Sequence, residues 1–205
     1  MKLNAFCTQN PSLALKSCDK VVYCGSGDAK GEAYRLICAP DLKDRLYIPD
    51  MSDETALEQA CDYILTNNAV AIVRAAYELT ETGIIEARYK LSPVMLLHKL
   101  GVADKCIIAG GVCLDNDDLD LMAQEGMPLI VTPTASAGYG HGFAPGCAAV
   151  ARGIRVGVGT FDNKYNHTAD IDKEIEFLKL FANAEMRAEN ALTKETLQKI
   201  GAFEL

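Results

Sequence analysis

Histidine is scarce in this chain. His98, His141 and His167 are the whole supply, and none stands at the end of an apolar run, where an α/β enzyme presents its ligands. A mononuclear metal site usually contains imidazole, so no resident metal and no other cofactor is expected. The eight cysteines include no C-x-x-C pair, which removes the commonest zinc and redox spacings. Positive charge is also short: 20 lysines and arginines face 28 acids, for a net charge of −8. No basic face is then available to release counterions from phosphates, and nucleic-acid binding is not expected. No apolar run reaches the roughly 18 residues that a membrane-spanning helix needs. The opening MKLNAFCTQN has one lysine and no apolar h-region, so secretion is not expected either. Repeats, low-complexity tracts and long linkers are absent.

What is present reads as one soluble domain over residues 1–205, with 49% hydrophobic residues to build a core. The cysteines read as reduced thiols of a cytoplasmic protein. Short β-branched runs at 3–7, 21–24, 34–38, 69–74, 106–109, 129–132 and 156–159 alternate with helical patterns, as in a parallel sheet of βαβ units. Several are apolar on consecutive positions, as strands buried on both faces should be. The helices carry end signals: Ser52 and Asp53, Ser92 before Pro93, and Asp115 or Asn116 with Asp117 and Asp118 at the positive end. Gly101, Gly126 and Gly153 mark stops, and helices are expected from Pro145, from Thr168 and from Thr193.

The segment 133–166, PTASAGYGHGFAPGCAAVARGIRVGVGTFDNKYN, resembles the late barrel of the metal-dependent amidohydrolases, in the branch of cytosine deaminase, guanine deaminase and chlorohydrolase. That branch reads P-x-S-N-x-x-L-G-x-G-x-x-P, then a helix, then G-x-x-V-x-x-G-T-D. Pro133, Gly140, Gly142, Pro145, Gly153, Val156, Gly159 and Thr160 fall into this frame without a gap. The resemblance runs over about residues 52–205, is strongest over 93–205, and leaves the first fifty residues without a match. It implies a trimmed or incomplete (β/α)8 TIM-like barrel lacking the family's β-sandwich domain. An open, parallel, doubly wound sheet is the alternative.

The resemblance also implies a metal site, and this sequence departs from it at each ligand. The opening H-x-H is missing. The next histidine falls on Ala75 or Glu78, or on neighbouring Arg74; another falls on Gly110, with Cys113 where many members carry a second one. The S-N pair becomes Ala135-Ser136, and the closing aspartate, a metal ligand and proton shuttle, becomes Phe161. Glu78, Cys113 and Asp162 are the candidates for a displaced catalytic or ligand trio. Ligand-binding candidates at the expected pocket mouth are Arg74, Glu78, Gly110, Cys113, Ser136, His141, Phe161 and Asp162.

Other features read more plainly. Gly25-Ser26-Gly27-Asp28 with Gly31 follows a strand as a phosphate loop would. The next strand comes only about eight residues later, so a tight connection or hairpin is expected. Cys24 and Cys38 end strands, yet small buried cysteines are commoner than nucleophiles. His98 reads as solvent-facing, and His167 as a turn or capping residue. The acidic run from Asp115 reads as a helix start, because it lacks a calcium loop's alternating spacing and closing glutamate.

The function expected is an amidohydrolase-like protein that has lost metal-dependent hydrolysis, a pseudoenzyme serving as a small-molecule-binding or protein-interaction scaffold. The alternative is an active hydrolase or deaminase on C–N bonds of a cyclic amide or amidine with displaced ligands, or a cysteine-dependent enzyme. Open strand edges in a trimmed barrel need covering, so a homo-oligomer or a partner subunit is expected.

Overall fold

A computed structural model describes residues 2–24, 33–36, 45–162 and 164–203. Eight strands occur among them: β1 (Leu3–Cys7), β2 (Lys20–Cys24), β3 (Ala33–Leu36), β4 (Arg45–Ile48), β5 (Val70–Ala75), β6 (Cys106–Gly110), β7 (Leu129–Val131) and β8 (Val156–Val158). They form a three-stranded sheet in the order β1-β2-β3 and a five-stranded sheet in the order β4-β5-β6-β7-β8, parallel throughout. One expected strand, 34–38, is shifted to start at Ala33, and its last two residues lie outside those described. The strand at Arg45–Ile48 is additional to the seven read from sequence.

The two sheets meet at β1 and β8. Phe161 donates its N–H to the Phe6 carbonyl at 2.9 Å, and the Thr8 N–H returns to the Phe161 carbonyl at 2.8 Å. Gly159 permits this approach: a β-carbon there would stand 2.6 Å from the Phe6 carbonyl oxygen. Asn4 completes the seam, donating from Nδ2 to Thr160 Oγ1 at 2.8 Å and accepting from the Thr160 N–H at 3.2 Å. Among the described residues, no ladder joins β3 to β4. Among the described residues, the fold is therefore an incompletely laddered TIM-like barrel.

Alternation along the strands separates barrel interior from helix-facing layer, as closure requires and an open sheet does not. Ile72, Ile107 and Ile130 pack inward with Leu3, Val22 and Tyr47. Their neighbours Ala71, Val73, Ile108, Leu129 and Val131 pack outward against Leu57, Ile85, Leu97 and Met122 of the helices. Phe203 seals the N-terminal end of the interior, its ring 2.7 Å from where a Gly157 β-carbon would lie.

Most of the expected helices begin where the sequence signals them, and those at Pro11–Ala14, Leu79–Tyr89 and Pro133–Gly138 are additional to those expected. α1 (Pro11–Ala14) and α2 (Glu54–Asn67) come first, and Asp53 caps α2 by accepting from the Ala56 N–H at 3.0 Å. α3 (Leu79–Tyr89) is followed by α4 (Pro93–Lys99), capped by Ser92. α5 (Asn116–Glu125) opens on a reciprocal Asp115–Asp118 capping box and closes on Gly126 in the left-handed region. α6 (Pro133–Gly138) and α7 (Gly146–Ala151) flank the glycine-rich loop. α8 (Ile171–Met186) starts three residues later than expected, because Asp170 and not Thr168 caps it. α9 (Lys194–Gly201) is capped by Thr193.

One expectation is overturned. β2 and β3 pair in parallel, so of the tight connection or hairpin expected between them the hairpin is excluded. The glycine-rich run Gly25 to Gly31 itself lies outside the described residues. Among the described residues, no helix is long and apolar enough to cross a membrane.

Candidate functional site

The mouth at the C-terminal end of the barrel is built by backbone turns that few side chains tolerate. Ala76 after β5 has φ 49°, Gly110 and Gly111 at the end of β6 have φ 103° and 64°, and Phe161 after β8 has φ 53°. An alanine and a phenylalanine in the left-handed region each carry a conformational cost of order 1 kcal/mol, and fold contacts must offset it. At Phe161 those contacts are the β1 hydrogen bonds and two rings. Phe161 stacks on Phe6 at 5.4 Å and tilts against Tyr77 at 5.3 Å.

Tyr77 occupies the centre of this cluster. Its ring lies so close over Gly110 that a β-carbon there would stand 2.4 Å from Tyr77 Cδ2. The position where the resemblance implies an imidazole is thus filled from the neighbouring strand end. His141 meets Tyr77 edge-on at 4.9 Å and stacks on Tyr139 at 5.7 Å. Its Nε2 lies 3.8 Å from Glu78 Oε2, so the glycine-rich loop folds back across the mouth to the end of β5.

Arg74, two residues beyond inward-facing Ile72, sits on the same side of β5. Its Nε donates to the Pro49 carbonyl at 2.6 Å, and its guanidinium lies 5.3 Å from the Tyr77 ring centre. Asp162 is buried, accepts from the Tyr139 hydroxyl, and accepts from the Lys164 N–H at 3.0 Å. Ser136 is buried and shares a hydrogen bond with Thr132 at 3.1 Å. Cys113 is half-buried behind the mouth, its N–H bonded to the Ala76 carbonyl at 2.8 Å. The structure thus gathers Arg74, Glu78, Gly110, His141, Phe161 and Asp162 around Tyr77. Ser136 stands beside Thr132, and Cys113 on the outer side of the β5 turn.

The electrostatics favour neutral groups. The Tyr77 hydroxyl is buried, and its pKa is pushed up, first by burial and then by the Asp162 charge. Donation to Asp162 raises the Tyr139 hydroxyl to about 12. Burial raises every shifted thiol: Cys18 and Cys61 reach about 11, and Cys7, Cys106, Cys113 and Cys147 move the same way. A nucleophilic cysteine needs the opposite shift, so none of these is an activated thiolate. Cys24 is buried, and Cys38 lies outside the described residues.

A metal does not fit these residues. Gly110 and Phe161 offer no donor, and among the described residues no group of three His, Cys, Asp or Glu side chains comes together to hold an ion. Glu78, Cys113 and Asp162 therefore do not form such a trio. His98 is 3.2 Å from Glu125 on the outer surface, and His167 lies in the turn before α8.

Three buried carboxyls set the expected pH response. Burial raises the pKa of Glu81, Asp118 and Glu174 above ordinary carboxylate values. A raised folded pKa means that protonation favours the fold. That contribution is complete below the unfolded values of 4.5 and 3.8 and is lost as pH rises through the folded ones. Thermal melts should therefore show a higher melting temperature at about pH 5.5 than at about pH 7.5. A melting temperature that rises from about pH 5.5 to about pH 7.5 would contradict the burial of these groups.

Sequence reading did not single out Tyr77, Phe6, Tyr139, Lys164 or Tyr165. The one available signal for Tyr77 was reciprocal size: a large side chain just after one strand and paired glycines at the end of the next.

No protein-family model matches the chain. It is 30% identical over 114 residues to a 5-methylthioadenosine/S-adenosylhomocysteine deaminase of Caldicellulosiruptor saccharolyticus, covering 55% of this chain and 27% of that protein. A protein of the same name from Desulforamulus reducens is 30% identical over 128 residues, covering 62% of this chain and 28% of its own length. The chain therefore spans about a quarter of the curated relatives it matches. Among solved structures, a zinc-bound adenosine deaminase of Xanthomonas campestris superimposes with a TM-score of 0.70 at 18% identity, over 84% of this chain and 38% of that one. A mutant atrazine chlorohydrolase of Arthrobacter aurescens, complexed with zinc and atraton, gives a TM-score of 0.69 at 18% identity, over 86% and 38%.

Proposed function

We propose that this chain is a relative of the metal-dependent amidohydrolases, and that its barrel binds a small organic ligand at its mouth without metal-dependent hydrolysis. The observation that carries the reading is the packing of Tyr77 onto Gly110 beside Phe161. Aromatic carbon stands where hydrolysis would need ligands for an ion and room for its activated water. The groups that remain are suited to binding: the Arg74 guanidinium and the Glu78–His141 pair. The relatives' names suggest the ligand class, a purine nucleoside or its thioether.

Those names also favour a second reading, deamination of such a nucleoside. It would require ligands other than imidazole at the strand ends, and Glu78, Cys113 and Asp162 are separated in the fold. Calorimetric titration with 5′-methylthioadenosine and S-adenosylhomocysteine, followed by an ammonia assay of the same samples, distinguishes the two. Heat of binding with no ammonia is expected; ammonia release that chelation abolishes would overturn the proposal in favour of the deaminase.

A further inference from the structure

Beside the plugged interior, the rim carries a feature that neither metal chemistry nor nucleoside binding uses. The Tyr139 and Tyr165 rings stand at 85° to each other with centres 4.9 Å apart, two walls of an open corner. The ammonium of Lys164 sits in that corner, 4.6 Å from the Tyr139 ring centre and 5.1 Å from that of Tyr165.

Both walls are fixed by the fold. Tyr165 is laid against the end of α6 so closely that a β-carbon on Gly138 would meet its ring at 2.2 Å. Tyr139 is held by stacking on His141 and by donating its hydroxyl to Asp162. The Asp162 carboxylate adds negative charge at the edge of the Tyr139 ring. Lys164 is exposed and Tyr165 is 38% exposed, so the corner opens to solvent.

Two tyrosine faces at right angles, with a carboxylate behind one of them, make a receptor for a soft cation. An ammonium is strongly hydrated and gains little at such an exposed site. A methylated onium ion has a weak hydration shell, keeps its charge, and presents methyl groups to both rings. We infer that the Tyr139–Tyr165 corner binds a small organic onium cation, a quaternary ammonium or a sulfonium, and that Lys164 is its internal occupant in the free protein. The inference is independent of the nucleoside reading, since it involves neither the ligand nor the interior of the barrel.

Proton NMR titration of the full chain with tetramethylammonium, and separately with trimethylsulfonium, tests it. The expected result is an upfield ring-current shift of the probe's methyl signal that saturates with protein concentration. Lys164→Met removes the competitor at an exposed position that threatens no core packing. Affinity should then rise by about two- to fivefold, the scale of one exposed cation–π contact. Tyr165→Leu should abolish the shift, with retention of the fold checked by circular dichroism. Binding to one probe alone assigns the site to that cation. No shift with either probe in the Lys164→Met protein, or an equal shift in folded Tyr165→Leu protein, would overturn the inference.

Discussion

Replacing Gly110 with alanine is expected to destabilise the protein by about 3 kcal/mol in chemical denaturation, a large cost for one methyl group. Two effects add. With φ at 103°, the backbone is poorly accessible to an L side chain. The new methyl would also meet the Tyr77 ring, which is itself hemmed in by Phe161 and His141. The second effect is removable. Tyr77→Ala should by itself cost about 3–5 kcal/mol, the range for deleting a buried aromatic. Adding Gly110→Ala to that background should then cost only about 1–2 kcal/mol, the conformational part. A coupling of about 1–2 kcal/mol between the two positions is the expected signature of ring-on-glycine packing. Strict additivity would mean that Tyr77 does not occupy the Gly110 side-chain space. By the same logic Gly110→His would not restore a metal ligand, because the imidazole has no room until Tyr77 is removed.

Glu174→Ala is the second large effect, about 3–4 kcal/mol in the same measurement. This carboxylate from α8 is fully buried and ties three segments together. It accepts from the Thr134 N–H at 3.0 Å, from the Thr134 hydroxyl, and from Asn166 Nδ2 at 2.9 Å. The start of α6 and the loop after β8 are the two walls of the mouth, and Glu174 holds them at a fixed separation. Truncation leaves three donors without an acceptor as well as a cavity. Glu174→Gln keeps the volume and one acceptor oxygen, so it should cost less than half as much, and it should flatten part of the pH dependence of melting. Equal losses in the two variants would mean that volume, not hydrogen bonding, is what matters at this position.

Several parts of this architecture were legible in the sequence because they rest on local chemistry. Asp53, Ser92, Asp115 and Thr193 each cap a helix through their own side chains, and Gly126 closes one through its freedom at positive φ. The strands at Leu3–Cys7, Val70–Ala75 and Cys106–Gly110 announce themselves as short, mostly apolar runs. Arg45–Ile48 does not, since four residues with an arginine at the front carry little pattern, and pairing with β5 decides their conformation. The hairpin expectation failed for a related reason. A short link suits a hairpin, but strand direction in a barrel is set by closure of the whole sheet.

At the mouth, the departures from the family's ligand frame could be read position by position, because the frame fixes which residue ends which strand. What fills the space at those positions could not. Whether Tyr77 swings inward over Gly110 depends on a left-handed turn at Ala76, and nothing local in Ala75-Ala76-Tyr77 demands it. Phe161 likewise takes positive φ only because β1 hydrogen-bonds to it across the barrel seam. His141 and Tyr139 meet groups more than twenty residues away, through a loop whose glycines permit many paths.

The central claim, that aromatic packing has replaced metal binding at the barrel mouth, is tested most directly by metal analysis. Protein purified from cells grown with added zinc, iron and manganese, without chelators, should contain only substoichiometric metal by plasma mass spectrometry. Stoichiometric metal that disappears in Glu78→Gln or Asp162→Asn protein would contradict the account and place a working hydrolase site at this mouth.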